Sequence, residues 1–575
     1  MTGKFAVSRS ASARASVSNR VLSAREMLRQ FRREEEGSLL IFGLFCFIIM
    51  LGLAGVALDL MRFEERRTTL QNTVDRAVLA AADLNQTLEP KEVVKDYFRK
   101  AGLEPPTDDQ ITVQEGNFGE WRTVRANVSE QLPTWFMNMY GIEYLATPAM
   151  AVAEERIGQV EISLVLDVSG SMDSNSRLIN LIPAAQDFVD TMFDSVEEGK
   201  LSISVVPFAA QVSAGADLMS YFDTTNEHGY SNCIEFDPSD FSTTSMTLAG
   251  ADTPRTYQRN GHFDPYTSSN THNPYWQYRH CPEEAEREIL AFSSDRDEIK
   301  DFIANFDAHG NTAIDIGMKW GAALLDPSMA DVVDDMIANG DVDESMSERP
   351  YGYDNDEALK VVVIMSDGAN TTEYRLKPDV DSGGSILWRS NASTYDTSTS
   401  SAQYSLYDSS RNQYWIFALS TWRSVPWGDG TYTTCGRRSC TTSNDPGDAV
   451  QMTWVEVWNR MGMQWFARYI MGAVYGSSTQ TLWTPGSTGS LSATGENGST
   501  KDTRALAICS AFKNASTTGN SPQIYTISFE APSAGISLLR SCASSTSQFY
   551  DVDGLEINDA FSAIASSINK LRLTY

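Results

Sequence analysis

Histidine is scarce in this chain, five in 575 residues, and none stands at metal-ligand spacing from another. A zinc or copper centre, which leans on imidazole or thiolate, has little to build on. Catalytic signatures are missing too. There is no P-loop, no dinucleotide fingerprint, and no Ser, His and Asp in an order that suggests an activated nucleophile. Basic residues are outnumbered, 45 Lys and Arg against 75 Asp and Glu, for a net charge of −30. Residues 1–36 hold eight Lys/Arg and four Glu, so they carry +4 and the rest carries −34. An acidic body of that size repels phosphate backbones and argues against nucleic acid as a partner. Long apolar runs are rare as well. The one that qualifies, Gly37 to Leu58, has 22 residues and no charge. At about 1.5 Å per residue it spans the roughly 30 Å hydrocarbon core of a bilayer. It is too long for a signal peptide. It reads as a transmembrane helix behind a basic cytoplasmic tail, residues 1–36.

Cys46 lies inside the apolar run, and Cys233, Cys281, Cys435, Cys440, Cys509 and Cys542 all follow it. An even set in an acidic domain reads as three disulfides in an oxidising compartment. Arginines flank the span almost equally, so charge alone leaves its orientation near a tie and the cysteines decide it. The body is placed outside the cytoplasm. Closeness in sequence and place in the fold favour Cys233–Cys281, Cys435–Cys440 and Cys509–Cys542. The chain shows no later stop-transfer segment, so attachment is expected only through the N-terminal span.

Chemistry concentrates after a short apolar run, Val160 to Leu166, which predicts a strand buried on both faces. It breaks at Asp167-Val168-Ser169-Gly170-Ser171. Alternate residues of extended backbone share a face, so Asp167, Ser169 and Ser171 can point at one spot past the strand's carboxyl end. Alone, the pattern also fits a turn whose serines cap the next helix. Gly310-Asn311-Thr312 then precedes a helical pattern, and a second strand-like run, Leu359 to Met365, breaks at Ser366-Asp367-Gly368. These residues resemble the von Willebrand factor A domain and its metal-ion-dependent adhesion site. The resemblance implies a Rossmann-like, doubly wound α/β sheet. It also implies a metal site made of Asp167, Ser169, Ser171, Thr312 and Asp367. The all-oxygen donor set suits magnesium, with manganese or calcium as substitutes. Asp167 should project from the sheet's edge, where a protein partner could supply an acidic residue to the metal.

The A domain is expected over residues 156–575, with insertions at 212–290 and 371–500. Leu178–Phe193, Asp295–Phe306, Ala313–Leu325, Thr503–Lys513 and Ile557–Leu571 predict helices. Leu201–Phe208 and Ile524–Phe529 predict strands, and the acidic stretch Asp331–Asp356 a solvated loop. The second insertion holds eight of the 12 tryptophans. They fit either a core of its own or a recognition lid near the metal edge. Val450–Tyr475 reads as helix.

Residues 59–155 are expected to form an extended helix, Asp59 to Gln86, followed by a small α+β spacer with a short helix at Val93–Lys100. Glu36-Gly37-Ser38, the apolar span, Asp59, Arg66, Val74-Asp75-Arg76-Ala77 and Ala80-Ala81-Ala82 resemble the N-terminal module of TadE/TadG-like proteins over residues 34–86. These assemble tight-adherence (Flp) pili. Members processed as pilins carry Glu five residues after the cleavage-site Gly; here that position is Phe42, which argues against cleavage and polymerisation. The resemblance implies a single-pass protein of the bacterial inner membrane, N-terminus cytoplasmic and body periplasmic. It implies a non-enzymatic pilus assembly or adhesion factor binding a pilus or envelope component. A general envelope-surface adhesin tethered by the same anchor is the alternative.

Overall fold

A single α-helix, α1, runs unbroken from Glu36 to Ala82. The computed structural model describes residues 36–83, 88–115, 121–156, 158–267, 279–355, 358–395, 399–516 and 521–574. The basic tail and the expected helix end at Gln86 lie outside them. The first part of α1 exposes Leu, Ile and Phe around its whole circumference and is long and apolar enough to cross a membrane. The chain forms two compact units, Met1–Arg156 and Ile157–Tyr575.

In the first unit α1 is followed by α2 (Pro90–Lys100) and an antiparallel sheet of β1 (Ile111–Glu115), β2 (Trp121–Pro133) and β3 (Tyr144–Arg156). Val74, Ala77, Val78 and Ala81 share one face of α1 at helical spacing. They are buried in one cluster with Val94 and Phe98 of α2 and Val124, Ala126, Ala149 and Ala153 of the sheet. The opposite sheet face stays open, with Met150 and Val152 exposed. This α+β arrangement follows from the alternation of Thr123–Val128.

The second unit centres on six strands: β4 (Gln159–Asp167), β5 (Leu201–Phe208), β6 (Leu290–Ser293), β7 (Ala358–Ser366), β8 (Gln523–Phe529) and β9 (Phe549–Val552). Their order is β9-β8-β7-β4-β5-β6. Neighbours are parallel, except that β6 runs antiparallel to β5. The helices are α3 (Arg177–Ser195), α4 (Arg296–Ala304), α5 (Ile314–Ala323), α6 (Ala330–Asn339), α7 (Gly498–Lys513), α8 (Ser533–Cys542) and α9 (Glu556–Thr574). Ile162, Leu164 and Leu166 of β4 pack with α3, α4 and α9, while Val165 packs on the other face with α5, α7 and α8. Both faces are covered, which is why β4 and β7 are near-continuous apolar runs. Pro207 sits one residue from the end of β5, opposite Leu166, where a missing N–H is tolerated.

Two expectations need correction, and one strand is added. Asp331–Asp356 is no open loop: α6 and a short turn of helix at Glu344–Met346 bury Val332, Val333, Met336 and Met346, while the acidic residues take the outer positions. The predicted helix at Val450 begins as strand, Ala449–Thr453, and turns helical at Trp454, where Thr453 and Glu456 form a capping box. The edge strand β6, too short to show alternation, went unread.

The stretch read as the second insertion carries a five-stranded antiparallel sheet between Gly384 and Thr453 and a core of its own. Trp454, Trp458, Trp465 and Trp483 are buried in that core and Trp427 is buried nearby. The core reading holds for these five, with Trp388, Trp415 and Trp422 half-buried. The three disulfides are Cys233–Cys281, Cys435–Cys440 and Cys509–Cys542, and Cys46 is free. Non-reducing peptide mapping of protein from the native envelope should return these three pairs; six free thiols would contradict them.

Helix α5 is buried on all sides, because two glycines let it lie against the sheet. A Cβ on Gly321 would stand 2.5 Å from Val165 Cγ2, and one on Gly317 2.9 Å from the Phe208 ring. Gly321→Val should therefore cost about 2 kcal/mol or more in urea unfolding. Gly229→Ala, where a Cβ meets nothing within 4 Å, should change stability by less than about 0.5 kcal/mol.

Candidate metal centre

The chain leaves the central strands β4 and β7 in opposite directions, β4 towards β5 and β7 towards β8. Their carboxyl ends flank the crevice where a doubly wound sheet switches direction. All five residues expected from the sequence meet there. Thr312 Oγ1 donates to Ser169 Oγ at 3.1 Å, and the Ser169 and Ser171 hydroxyls are 3.1 Å apart. Ser171 Oγ donates to Asp367 Oδ1 at 2.7 Å. Asp167 accepts the Ser169 amide on Oδ1 at 2.8 Å and the Ser366 hydroxyl on Oδ2 at 2.6 Å.

Three loops build this cluster, and close backbone packing fixes each. After β4, Gly170 N donates to Gly310 O at 2.9 Å, and a Cβ on Gly170 would stand 3.3 Å from that oxygen. Gly310 itself takes φ +87°, which places Thr312 at the start of α5. After β7, Gly368 passes so close to Thr312 that a Cβ would meet Oγ1 at 3.2 Å. Asn370 accepts the Ile314 amide at 2.8 Å, tying the third loop to the start of α5.

Four residues the sequence did not single out complete the surroundings. Ser366 was readable in principle: the register pairs Leu166 with Met365, so Ser366 falls beside Asp167 on the same face. Arg177 donates from Nη1 to Asp367 Oδ2 at 2.7 Å and from Nε to Glu530 Oε2 at 3.0 Å. Arg287, from the first insertion, is buried and donates to the carbonyls of Asp307, Val168 and His309 at 3.1–3.4 Å. Lys501, buried at the start of α7, donates to the Thr312 carbonyl at 3.0 Å. No local pattern marks these three cations: Arg177 stands six residues past Ser171 but acts on Asp367, while Arg287 and Lys501 reach their partners from distant parts of the chain.

Asp167 does not project freely from the edge: it is fully buried, and Asp367 is 2 % exposed. Burial, and then the charge of Asp367, push the Asp167 carboxyl up to about 7. Burial also raises Asp367, against the Ser171 hydroxyl and Arg177, which pull it back. The donors are two carboxylates and three hydroxyls, all oxygen, and Arg177 pairs with one of the carboxylates. That set fits a hard divalent ion such as magnesium. Among the described residues no group of three or more His, Cys, Asp or Glu is placed to hold a metal.

Comparison with known proteins begins at the other end of the chain. Residues 37–84 match the family of putative Flp pilus-assembly TadE/G-like proteins. This TadE/G-like segment coincides with α1, and with the apolar helix it supports membrane anchoring. A search of curated proteins finds no match. Among solved structures, the chain is similar to the von Willebrand factor domain of the type V pili tip protein Mfa5 from Porphyromonas gingivalis. Identity there is 13 %, covering 72 % of this chain and 97 % of that one, with a TM-score of 0.30. The PilB minor pilin from Streptococcus sanguinis gives 12 % identity, 80 % and 77 % coverage, and a TM-score of 0.27. The pilus adhesin SpaC from Lactobacillus rhamnosus GG gives 11 %, 82 % and 36 %, and 0.25.

The raised Asp167 carboxyl makes stability depend on pH. Its folded-state value of about 7 lies above the ordinary 3.8, so between these values the folded state holds the extra proton. In EDTA the stabilisation is complete below pH 4 and is lost as pH rises through 7. Thermal melts should show this decline, magnesium should reverse it at pH 8, and Asp167→Asn should lessen it, leaving the part due to Glu235, Asp315 and Asp381, whose carboxyls burial also raises. A wild-type profile no steeper than the variant's would contradict the assignment.

Proposed function

We propose that this protein is a membrane-anchored, non-enzymatic assembly or adhesion factor of a tight-adherence pilus. Its second unit is a von Willebrand factor A domain carrying two large insertions. The domain grips a protein partner through magnesium held by Asp167, Ser169, Ser171, Thr312 and Asp367. The observation that carries this reading is the meeting of those five side chains, drawn from three loops, at the switch point of the sheet. The TadE/G-like segment supports the pilus context and the anchoring. The three disulfides support an oxidising compartment, with the body periplasmic and the N-terminus cytoplasmic at the inner membrane.

A divalent ion bound there supplies an electrophilic position that a carboxylate from another protein can fill. The chain's own groups prepare it. The hydroxyls of Ser169, Ser171 and Thr312 bring oxygen without charge, and Arg177 offsets part of the charge of Asp367, so a divalent cation there stays under-neutralised and electrophilic. Arg177 holds one oxygen of Asp367 and orients it. Arg287 and Lys501 fix the loop backbones through carbonyls and leave the carboxylates to the cation. Nothing in this arrangement activates a nucleophile or stabilises a developing oxyanion.

Titration calorimetry of magnesium into the full chain in detergent tests the site. Wild type should bind one ion, Asp167→Asn should lose detectable binding, and Thr312→Ala should weaken it by about tenfold, the loss of one neutral ligand. Pilus-dependent adhesion should follow the same order. Equal binding by wild type and Asp167→Asn would refute the assignment of these residues.

A further inference from the structure

The connection between β2 and β3, residues 134–143, is packed along the side of α1 inside the stretch that is long and apolar enough to cross a membrane. Asp59 accepts the backbone amides of Trp135 at 3.0 Å, Phe136 at 2.7 Å and Met137 at 2.8 Å, which pins the loop to the helix. Further in, Phe136 and Tyr140 fill the room left by two glycines. A Cβ on Gly55 would stand 2.5 Å from the Phe136 ring, and one on Gly52 2.4 Å from the Tyr140 hydroxyl. Gly52 is six residues inside the end of the charge-free run at Leu58, a depth of about 9 Å along the helix. The loop therefore descends beside the span by nearly two turns.

Its exposed side chains suit that depth. Trp135 is 61 % exposed, Met139 82 % and Tyr140 64 %, with Ile142 and Tyr144 also exposed. Gln131 to Ile142 contains no charged residue. The Arg62 guanidinium lies 3.6 Å over the Trp135 ring, at the water-facing end of the loop. Ile49, Leu53, Val56, Met137, Tyr140 and Ile142 line an apolar hollow of about 380 Å³ between loop and helix.

We infer that this connection is a membrane-seated wedge. Trp135, Met139, Tyr140 and Ile142 occupy the boundary between headgroups and acyl chains of the same bilayer that α1 crosses. The occupant is lipid because the exposed apolar groups spread around the loop and are not gathered on one flat face. Trp and Tyr are also the residues that settle at this boundary. The inference rests on the anchoring reading of α1, and continuity with that span supplies the lipid.

The test uses the full chain reconstituted into vesicles of phosphatidylethanolamine and phosphatidylglycerol. Cys46→Ser with Met139→Cys carries an environment-sensitive NBD label, and Cys46→Ser with Arg125→Cys is the reference, Arg125 being exposed on β2. The Met139 label should emit to the blue. Lipids spin-labelled near the headgroup should quench it about twofold more than the reference, as expected for burial of roughly 5–10 Å. Ile142→Cys should behave like Met139→Cys, which guards against a fault peculiar to one variant. Water-like emission at both positions, in protein that floats with the vesicles, overturns the wedge and leaves the anchor intact. Failure to float overturns the anchor itself. Blue emission insensitive to labelled lipid places protein around the loop and also overturns the proposal.

Discussion

Two carboxylates of like charge, Asp167 and Asp367, are held inside the protein at the ends of adjacent parallel strands, and the surrounding structure answers that constraint. A buried carboxylate without partners is costly, and two near one another cost more. The protein supplies hydrogen bonds first: the Ser169 amide and Ser366 hydroxyl to Asp167, the Ser171 hydroxyl and Arg177 to Asp367. It does not supply enough charge. Burial and Asp367 together push the Asp167 carboxyl up to about 7.

Arg177 pairs with Asp367, whereas the two fully buried cations nearby direct their donors elsewhere. Arg287 directs its donors to the carbonyls of Asp307, Val168 and His309, and Lys501 directs one to the carbonyl of Thr312. Each therefore braces the backbone of a loop at the site through its carbonyls. Arg287 lies just before β6, and Lys501 stands in the first turn of α7. Asp315, fully buried below Thr312, stands 3.8 Å from both Lys501 and Arg504, so the bracing extends one turn into α5.

Much of this was legible in the sequence where local pattern and tertiary role coincide. Val160–Leu166 and Leu359–Met365 are apolar because both sheet faces are covered, and the polar break after each marks the edge where ligands sit. The three cysteine pairs were legible because partners lie close in sequence or close a helix onto its neighbour. What escaped depends on contacts the pattern cannot encode. The acidic outer positions of α6 mask its buried face, and β6 is too short for alternation to register. Arg177, Arg287 and Lys501 act through distant chain segments, and their residue type alone fits any solvated surface. Even Asp167 was misjudged in its surroundings: its position at the strand end was clear, but the loops that close over it were not.

The same reasoning clarifies α1, whose sequence looks like two helices of different purpose. Up to Leu58 it is uniformly apolar, and beyond Asp59 it is amphipathic. A single contact stripe nevertheless runs along it, through Gly52, Gly55, Asp59, Arg66, Leu70, Val74, Ala77 and Ala81, at spacings of three, four and seven that keep one face. Only the partners change. Phe136 and Tyr140 meet the glycines, amide groups meet Asp59, Glu130 pairs with Arg66 at 2.7 Å, and the sheet and α2 bury the aliphatic end. Small residues where the helix is in lipid and a charged pair where it meets water are the choices expected when one rigid rod must be gripped in both media. The folded part of the first unit therefore holds the helix along a length that begins inside the apolar span, and this explains why glycine, costly in a water-exposed helix, stands twice in that stretch.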